Sequence, residues 1–169
     1  SGLITALDTV KAGECGTILV TAADMRQART AYFYEMWFGD GAASLAVGSG
    51  DDVIAEFLGC HSVSYDFVDH YRGSDNDYDY MWEERWVRDE GYSKILPEAI
   101  EGLFAKKGIG ADDVDWLVFP CFFAAEHRKI AARLGIPPEK VISNLHAECG
   151  ETGAAHPCAM LSRARAQAK

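Results

Sequence analysis

Two glycines three residues apart, Gly150 and Gly153, stand directly before a run of small residues, and this junction constrains the chain more than any other stretch. It belongs to the segment Asn144-Leu145-His146-Ala147-Glu148-Cys149-Gly150-Glu151-Thr152-Gly153-Ala154-Ala155-His156-Pro157. The glycines let the backbone turn and come close to a ligand. Ala154 to Ala168 predicts a helix, with Ala155, Ala159 and Ala166 permitting tight packing. Glu151, Thr152 and His156 therefore stand at the mouth of a helix, where free N–H groups and the helix dipole favour negative charge. A plain glycine turn opening a core helix would use the same residues, so the rest of the chain has to decide.

What precedes this junction is strand, helix, strand. Val114 to Phe119 predicts a short hydrophobic strand ending at Pro120-Cys121-Phe122. Ala124 to Leu134 predicts a helix stopped by Gly135, and Val141-Ile142 starts the strand that feeds the glycine turn. That order implies an α/β fold with parallel pairing and right-handed crossovers. Ligands in such sheets sit beyond the C-terminal strand ends. Here those ends carry Cys121 and the Asn144–His156 loop, so two separate pieces of sequence converge.

Earlier elements are legible with less detail. Leu3, Ala6, Leu7 and Val10 follow helical spacing over residues 1–12, and Gly13 supplies the stop. Gly16 to Ala23 predicts a buried strand, and Asp24 to Trp37 an aromatic-rich loop. Phe38 to Gly48 predicts a tight turn into a strand of small residues, with Asp40 capping the turn. One long or two short strands are expected over Asp52 to Val68, then an exposed polar excursion over Asp69 to Tyr80. Met81 to Gly108 predicts a helix broken near Gly91, with Leu96, Ala99, Ile100, Leu103 and Phe104 as its buried stripe. Trp82, Arg85, Trp86 and Arg88 read as a solvated face with snorkelling arginines, or as a grip on a nucleotide-like cofactor.

Charge and cysteine usage narrow the function classes. A formal net charge of −10 argues against nucleic acid as partner, because phosphate neutralisation needs an excess of Lys and Arg. No apolar run reaches the length of a membrane span and no signal peptide is visible, so a cytoplasmic location is expected. The five cysteines show no Cys-x-x-Cys pair, and no disulfide framework or zinc ribbon is expected. Asp75, Asp77 and Asp79 alternate as in part of a calcium loop, but the downstream glycine and glutamate are lacking, so no metal site is expected.

Three runs taken together resemble the thiolase superfamily, nearest to ketoacyl-ACP synthase III and hydroxymethylglutaryl-CoA synthase-type enzymes. Phe38-Gly39-Asp40-Gly41-Ala42-Ala43 is similar to the FGDGA segment between that family's half-domains. Trp116 to Pro120, then Arg128-Lys129-Ile130-Ala131 and Leu134-Gly135, resembles the strand and helix around its active-site histidine. Gly150-Glu151-Thr152-Gly153-Ala154-Ala155 resembles its GNTSAA turn. The resemblance implies a thiolase-like fold, a mixed but mostly parallel sheet with helices packed on it. Residues 1–50 would end the N-terminal half-domain, and 51–169 would form most of the C-terminal one, with an excursion around 66–86. It also implies a nucleophilic cysteine at the start of the first helix, where Ser1-Gly2 stands, and final strands beyond Lys169. The chain is thus expected to be a fragment that forms no acyl-enzyme by itself.

Departures from the family pattern shape the functional expectation. Cys121 stands where ketoacyl synthases place histidine, and Glu151 where they place the asparagine of GNTSAA. His156-Pro157 is similar to the GHP of thiolases, whose histidine activates the nucleophilic thiol. The resemblance therefore implies acyl transfer that forms or cleaves a carbon–carbon bond, with a coenzyme A thioester as substrate and no tightly bound cofactor. His156, Glu151 and Cys121 are the catalytic candidates, and Asn144, His146, Gly150 and Gly153 the substrate-binding ones. Cys121, Glu151 and His156 are expected to gather at one sheet edge facing Ser1, while His61, His70 and His127 read as ordinary surface or packed histidines. An acyl-CoA or acyl-carrier-protein thioester is the implied partner, along with a homodimer mate near Tyr32–Trp37 and a small zinc-ribbon/OB-fold protein. The competing expectations are a catalytically silent thiolase-fold subunit that binds acyl-CoA or a partner, and an α/β domain with no ligand.

Overall fold

In the computed structural model, residues 2–81 and 83–167 are described. The expected helix start at Ser1, the Trp82 part of the aromatic–cation cluster and the helix end at Ala168 lie outside them.

Helix α1 (Gly2–Lys11) packs on a long antiparallel hairpin of β1 (Thr17–Met25) and β2 (Asp40–Gly48). The ladder runs without a bulge from Thr17 opposite Gly48 to Met25 opposite Asp40. Thr17, Ile18, Val20 and Thr21 of β1 and Val47 of β2 are β-branched residues that suit a pleated surface. Between them a single 3-10 turn, Phe33–Met36, replaces part of the expected loop and buries Tyr34.

The Asp52–Val68 strands are not formed, a correction to the sequence reading. Val53, Ile54, Phe57 and Leu58 are exposed there, and no neighbouring strand supplies the ladder bonds an extended run needs. The polar excursion is instead pinned by two short paired strands, β3 (His70–Tyr71) and β4 (Tyr80–Met81). A buried ion pair also ties it to the hairpin, Arg26 Nε to Asp79 Oδ2 at 2.6 Å.

One continuous helical run follows: α2 (Glu84–Trp86), a π-helical stretch Val87–Ile95, and α3 (Leu96–Lys107), ended by left-handed Gly108. Gly91 does not break it. A side chain at Gly91 would meet the Phe67 ring at 3.2 Å, so glycine here lets an aromatic ring pack against the helix. The arginines read as solvated behave so: Arg85 bonds Glu83 and Arg88 bonds Asp89 at the surface, while Trp86 stacks on Phe67.

The core is built by Leu117, Phe119, Cys121 and the inner face of α4 (Ala124–Arg133), closed by Ile136 and flanked by Leu96, Ile100 and Phe104. Parallel pairing is present, but among the described residues it is limited to two bridges, Leu117 with Val141 and Phe38 with Glu151; the ladders are antiparallel. Lys140 N–H, which would extend the first bridge backwards, instead donates to the Pro137 carbonyl at 3.0 Å in a 3-10 turn. Helix α5 (His146–Cys149) is a single turn, and α6 (His156–Gln167) is entered through a 3-10 turn, Gly153–Ala155, that packs on β1. No helix among the described residues is long and apolar enough to cross a membrane.

Candidate active site

The two predicted ligand-facing ends meet. Asn144 Nδ2 donates to the Cys121 carbonyl oxygen at 2.9 Å, joining the residue after one bridge to the loop after the other. Leu145 then takes a left-handed conformation (φ 58°), unfavourable for a side chain of its size and held by its own burial. That twist turns its carbonyl toward α5, where it accepts from the Glu148 and Cys149 backbone N–H groups. His146 is thereby set at the first turn of α5. Gly150 (φ 71°) and Gly153 (φ 55°) bring the chain back, so Glu151 lies beside His146 rather than in solvent.

The helix mouth is already occupied by the protein's own carboxylates. Gly153 N–H donates to Glu151 Oε1 at 2.8 Å and Ala154 N–H donates to Asp24 Oδ2 at 3.3 Å. The negative charge expected at this helix start is thus supplied internally.

His156 is fully buried and both its ring nitrogens are engaged. Nε2–H donates to the Asn144 carbonyl at 2.6 Å, and Nδ1 accepts from Thr152 N–H at 3.3 Å and from its hydroxyl at 3.1 Å. This network assigns the tautomer. His156 is a brace across the loop, with no lone pair left to face a substrate.

His146 is the opposite case. Its Nε2 lies 2.8 Å from Glu151 Oε2, while Nδ1 is buried and has no partner among the described residues. Burial pushes the Glu151 carboxyl up, but its hydrogen bond with His146, the electrostatic pull of the two imidazoles and the Gly153 N–H outweigh that. Its pKa lies below the ordinary value, so Glu151 is ionised. A carboxylate accepts only, so His146 Nε2 donates to it, and in the neutral ring Nδ1 holds the lone pair. An imidazole pinned by a carboxylate with its other nitrogen free has the geometry a general base needs.

Cys121 is fully buried, and its Sγ–H donates to the Phe123 carbonyl at 3.5 Å. Burial, chiefly, pushes the thiol up to about 12. A thiol held there stays protonated at neutral pH. His146, Glu151 and His156 offer three ligand-type atoms within 4.8 Å of one another. The His146 and His156 rings, however, lie nearly face to face at 4.3 Å with a 31° tilt, and His156 is committed to the backbone. The set as it stands suits proton handling better than metal binding.

Residues not singled out in the sequence complete the site. Phe122 touches Trp37, His70, Tyr92, Phe123 and His146, with ring centroids 4.2–6.3 Å apart. Tyr92 is buried, and its hydroxyl is held well above its usual range by burial and then by Cys121, Asp69 and Glu151. A cavity of about 430 Å³, lined by Val63, Phe67, Asp69, Tyr92, Leu96 and Pro120, opens beside it. The adjacency of Asp69 and His70 was the one signal in the sequence that could have pointed this way. His127, by contrast, packs on Phe119 with ring centroids 4.4 Å apart, and burial lowers its pKa.

Comparison with known proteins finds relatives of two related kinds. Residues 104–169 match the family described as 3-Oxoacyl-[acyl-carrier-protein (ACP)] synthase III C terminal. The chain is 30% identical over 180 residues to the beta-ketoacyl-[acyl-carrier-protein] synthase III of Microcystis aeruginosa, covering 91% of this chain and 51% of that one. It is 28% identical over 144 residues to the hydroxymethylglutaryl-CoA synthase of Thermococcus onnurineus, covering 85% and 41%. The 3-oxoacyl-(acyl carrier protein) synthase III of Pseudomonas aeruginosa shares its fold at TM-score 0.76 and 23% identity, covering 99% of this chain and 54% of that one.

The chain belongs to the thiolase superfamily, a family of condensing acyltransferases. Within it the chain is ketoacyl-ACP synthase III-like, with an α/β thiolase fold. It spans about half the length of these relatives.

Proposed function

We propose that this chain supplies the acid–base half of a thiolase-type acyltransferase that makes or breaks a carbon–carbon bond between acyl thioesters. The observation that carries this reading is the His146–Glu151 pair at 2.8 Å with a bare, buried Nδ1, set in the loop that resembles the family's GNTSAA turn. In condensation, Nδ1 takes the α-proton of an acyl-CoA or acyl-carrier-protein thioester. Glu151 carries the charge that develops on the ring. In the reverse direction the same proton is returned to the leaving carbon. Asn144 and His156 hold the loop, Gly150 and Gly153 shape its two turns, and Cys121 lines the wall. Coenzyme A enters as part of the substrate.

The acyl-carrying thiolate is proposed to come from a cysteine outside this sequence. Cys121 is held protonated by burial, and the Cys149 thiol is also raised, by burial and then by Glu148 and Glu151. The exposed aromatic and thioether edge at Tyr32 and Met36 supports an association between two copies. A small zinc-ribbon/OB-fold partner remains an implication of the family alone. The second reading, a silent subunit that binds acyl-CoA without turnover, is favoured by one observation: the inert Cys121 thiol where ketoacyl synthases place histidine.

Incubating the whole protein with radiolabelled acetyl-CoA, then mapping the label, tests the two readings. The catalytic reading expects a cysteine-bound acyl group, lost to hydroxylamine, and a condensed product that His146→Ala abolishes. Binding of acetyl-CoA with neither label nor product would favour the silent subunit.

A further inference from the structure

The Phe38-Gly39-Asp40-Gly41 run predicts a tight turn from its sequence, and the structure corrects that reading. Phe38 forms the parallel bridge with Glu151, and Asp40 and Gly41 already belong to β2. Two backbone bonds make the bridge. Glu151 N–H donates to the Trp37 carbonyl at 2.6 Å, and Gly39 N–H donates to the Glu151 carbonyl at 3.0 Å. The peptide groups on both sides of the Glu151 Cα are therefore pinned, which fixes φ, ψ and the direction in which its side chain leaves the backbone. That side chain reaches His146 Nε2 and Gly153 N–H, each at 2.8 Å. The strand side is anchored in turn. The Phe38 ring stacks on Tyr34 at 5.1 Å and lies 4.5 Å from the guanidinium of Arg26, itself paired with the buried Asp79.

Neither Gly39 nor Gly41 takes a positive φ, so backbone conformation does not call for glycine at either position. Glycine also weakens a strand, through its entropy and its lack of a side chain to pack. What calls for it here is contact. Residues two apart share a face of an extended chain, and this face lies against residues 149–152. A Cβ at Gly39 would overlap the Cys149 carbonyl oxygen, and one at Gly41 would stand 2.6 Å from Thr152 Cβ and 2.9 Å from its methyl. Thr152 is the residue whose N–H and hydroxyl both hold His156 Nδ1. We propose that Gly39 and Gly41 are positioning residues, whose missing side chains let the strand lie on the loop and so aim the Glu151 carboxylate at His146 Nε2. This rests on the acid–base reading given above. Both glycines act through Glu151, and the free Nδ1 of His146 is the result.

Gly41→Ala is the milder variant, because it meets a side chain and not a backbone oxygen. The loop must withdraw by about 1 Å to restore the ordinary 3.4–4 Å contact, and a misplacement of about 1 Å can cost about 10²-fold in rate. Deuterium uptake into the methyl group of acetyl-CoA in D2O, followed by NMR, should show that loss in kcat with KM little changed. Long-range proton–nitrogen NMR should show His146 turning from an Nε2-protonated ring into a mixture of both tautomers. Adding Thr152→Ser, which removes the methyl and keeps the hydroxyl on His156, should bring back part of both readouts. Gly102→Ala is the control: it crowds the His61 ring on α3 and should lower the melting temperature while leaving kcat and the His146 spectrum as in the wild type. Circular dichroism checks that each variant is folded. A folded Gly41→Ala with wild-type kcat and an unchanged His146 spectrum would overturn the proposal. So would a slowed variant whose His146 ring keeps Nε2 protonated, since the glycine would then serve packing alone. If the wild type exchanges no deuterium, the acid–base reading falls, and the His146 spectrum of Gly41→Ala still decides the positioning.

Discussion

Replacing Glu151 with glutamine should cost stability at neutral pH and cost little in acid. The Glu151 carboxylate makes two bonds, to His146 Nε2 and to Gly153 N–H, both 2.8 Å, and its side chain is 12% exposed. Glutamine keeps an acceptor for one of them but loses the charge from both. A hydrogen bond to a charged group is worth about 1.5–3 kcal/mol, so a net loss of about 2 kcal/mol is expected at pH 7. In a domain of this size that is roughly 4–8 °C of melting temperature. The sign with pH follows from the lowered pKa of Glu151. A carboxyl whose folded pKa is depressed contributes stability above its unfolded value, and that contribution is lost as pH falls through the folded value. The wild type should therefore converge on Glu151→Gln as pH drops below the ordinary carboxyl value of 4.5. Urea unfolding of both proteins at pH 7 and at stepwise lower pH, read by circular dichroism, measures the gap. A gap that stays constant with pH would refute the account of Glu151 as an ionised partner of His146.

Two further outcomes test other parts of the structure. Native-state alkylation with iodoacetamide at pH 8 should modify the exposed Cys15 and Cys149 and leave Cys121 untouched until the protein is unfolded, because burial pushes that thiol to about 12; early labelling at Cys121 would contradict its placement. Arg26→Ala should destabilise by about 3–5 kcal/mol, since it strips a buried Asp79 of its 2.6 Å partner and leaves Arg72 at 3.4 Å and the Gln27 N–H at 3.3 Å. Adding Asp79→Asn should recover part of that loss in a double-mutant cycle of thermal melts, and full additivity would argue against the pair.

Much of the site was legible in the chain because its residues are close in sequence and punctuated by glycine. Gly150 and Gly153 do sit at positive φ, and Asn144, His146, Glu151 and His156 do come together with Cys121. The division of labour among them was not legible. Which imidazole is free depends on which backbone carbonyls and amides reach it, and those are set by the left-handed Leu145, a residue whose type does not announce that conformation. His156 therefore reads as the reactive ring until its two nitrogens are seen to be spent on Asn144 and Thr152. The packing of His70 was not legible either, because its contact with Phe122 joins positions 52 residues apart, beyond any local pattern. In the fold, the hairpin's small and β-branched residues were readable, whereas the Asp52–Val68 run shows apolar spacing that no partner strand satisfies. The unbroken helix through Gly91 depends on Phe67 packing against it from another segment, again a tertiary effect.

The account turns on a bare lone pair at His146 Nδ1. Long-range proton–nitrogen NMR of the imidazole rings reads that atom directly in the neutral ring. The expected spectrum shows His146 protonated at Nε2 with an unprotonated Nδ1, and Glu151→Gln disturbing that assignment while His156 stays protonated at Nε2. A His146 ring protonated at Nδ1, or one indifferent to Glu151, would contradict the claim.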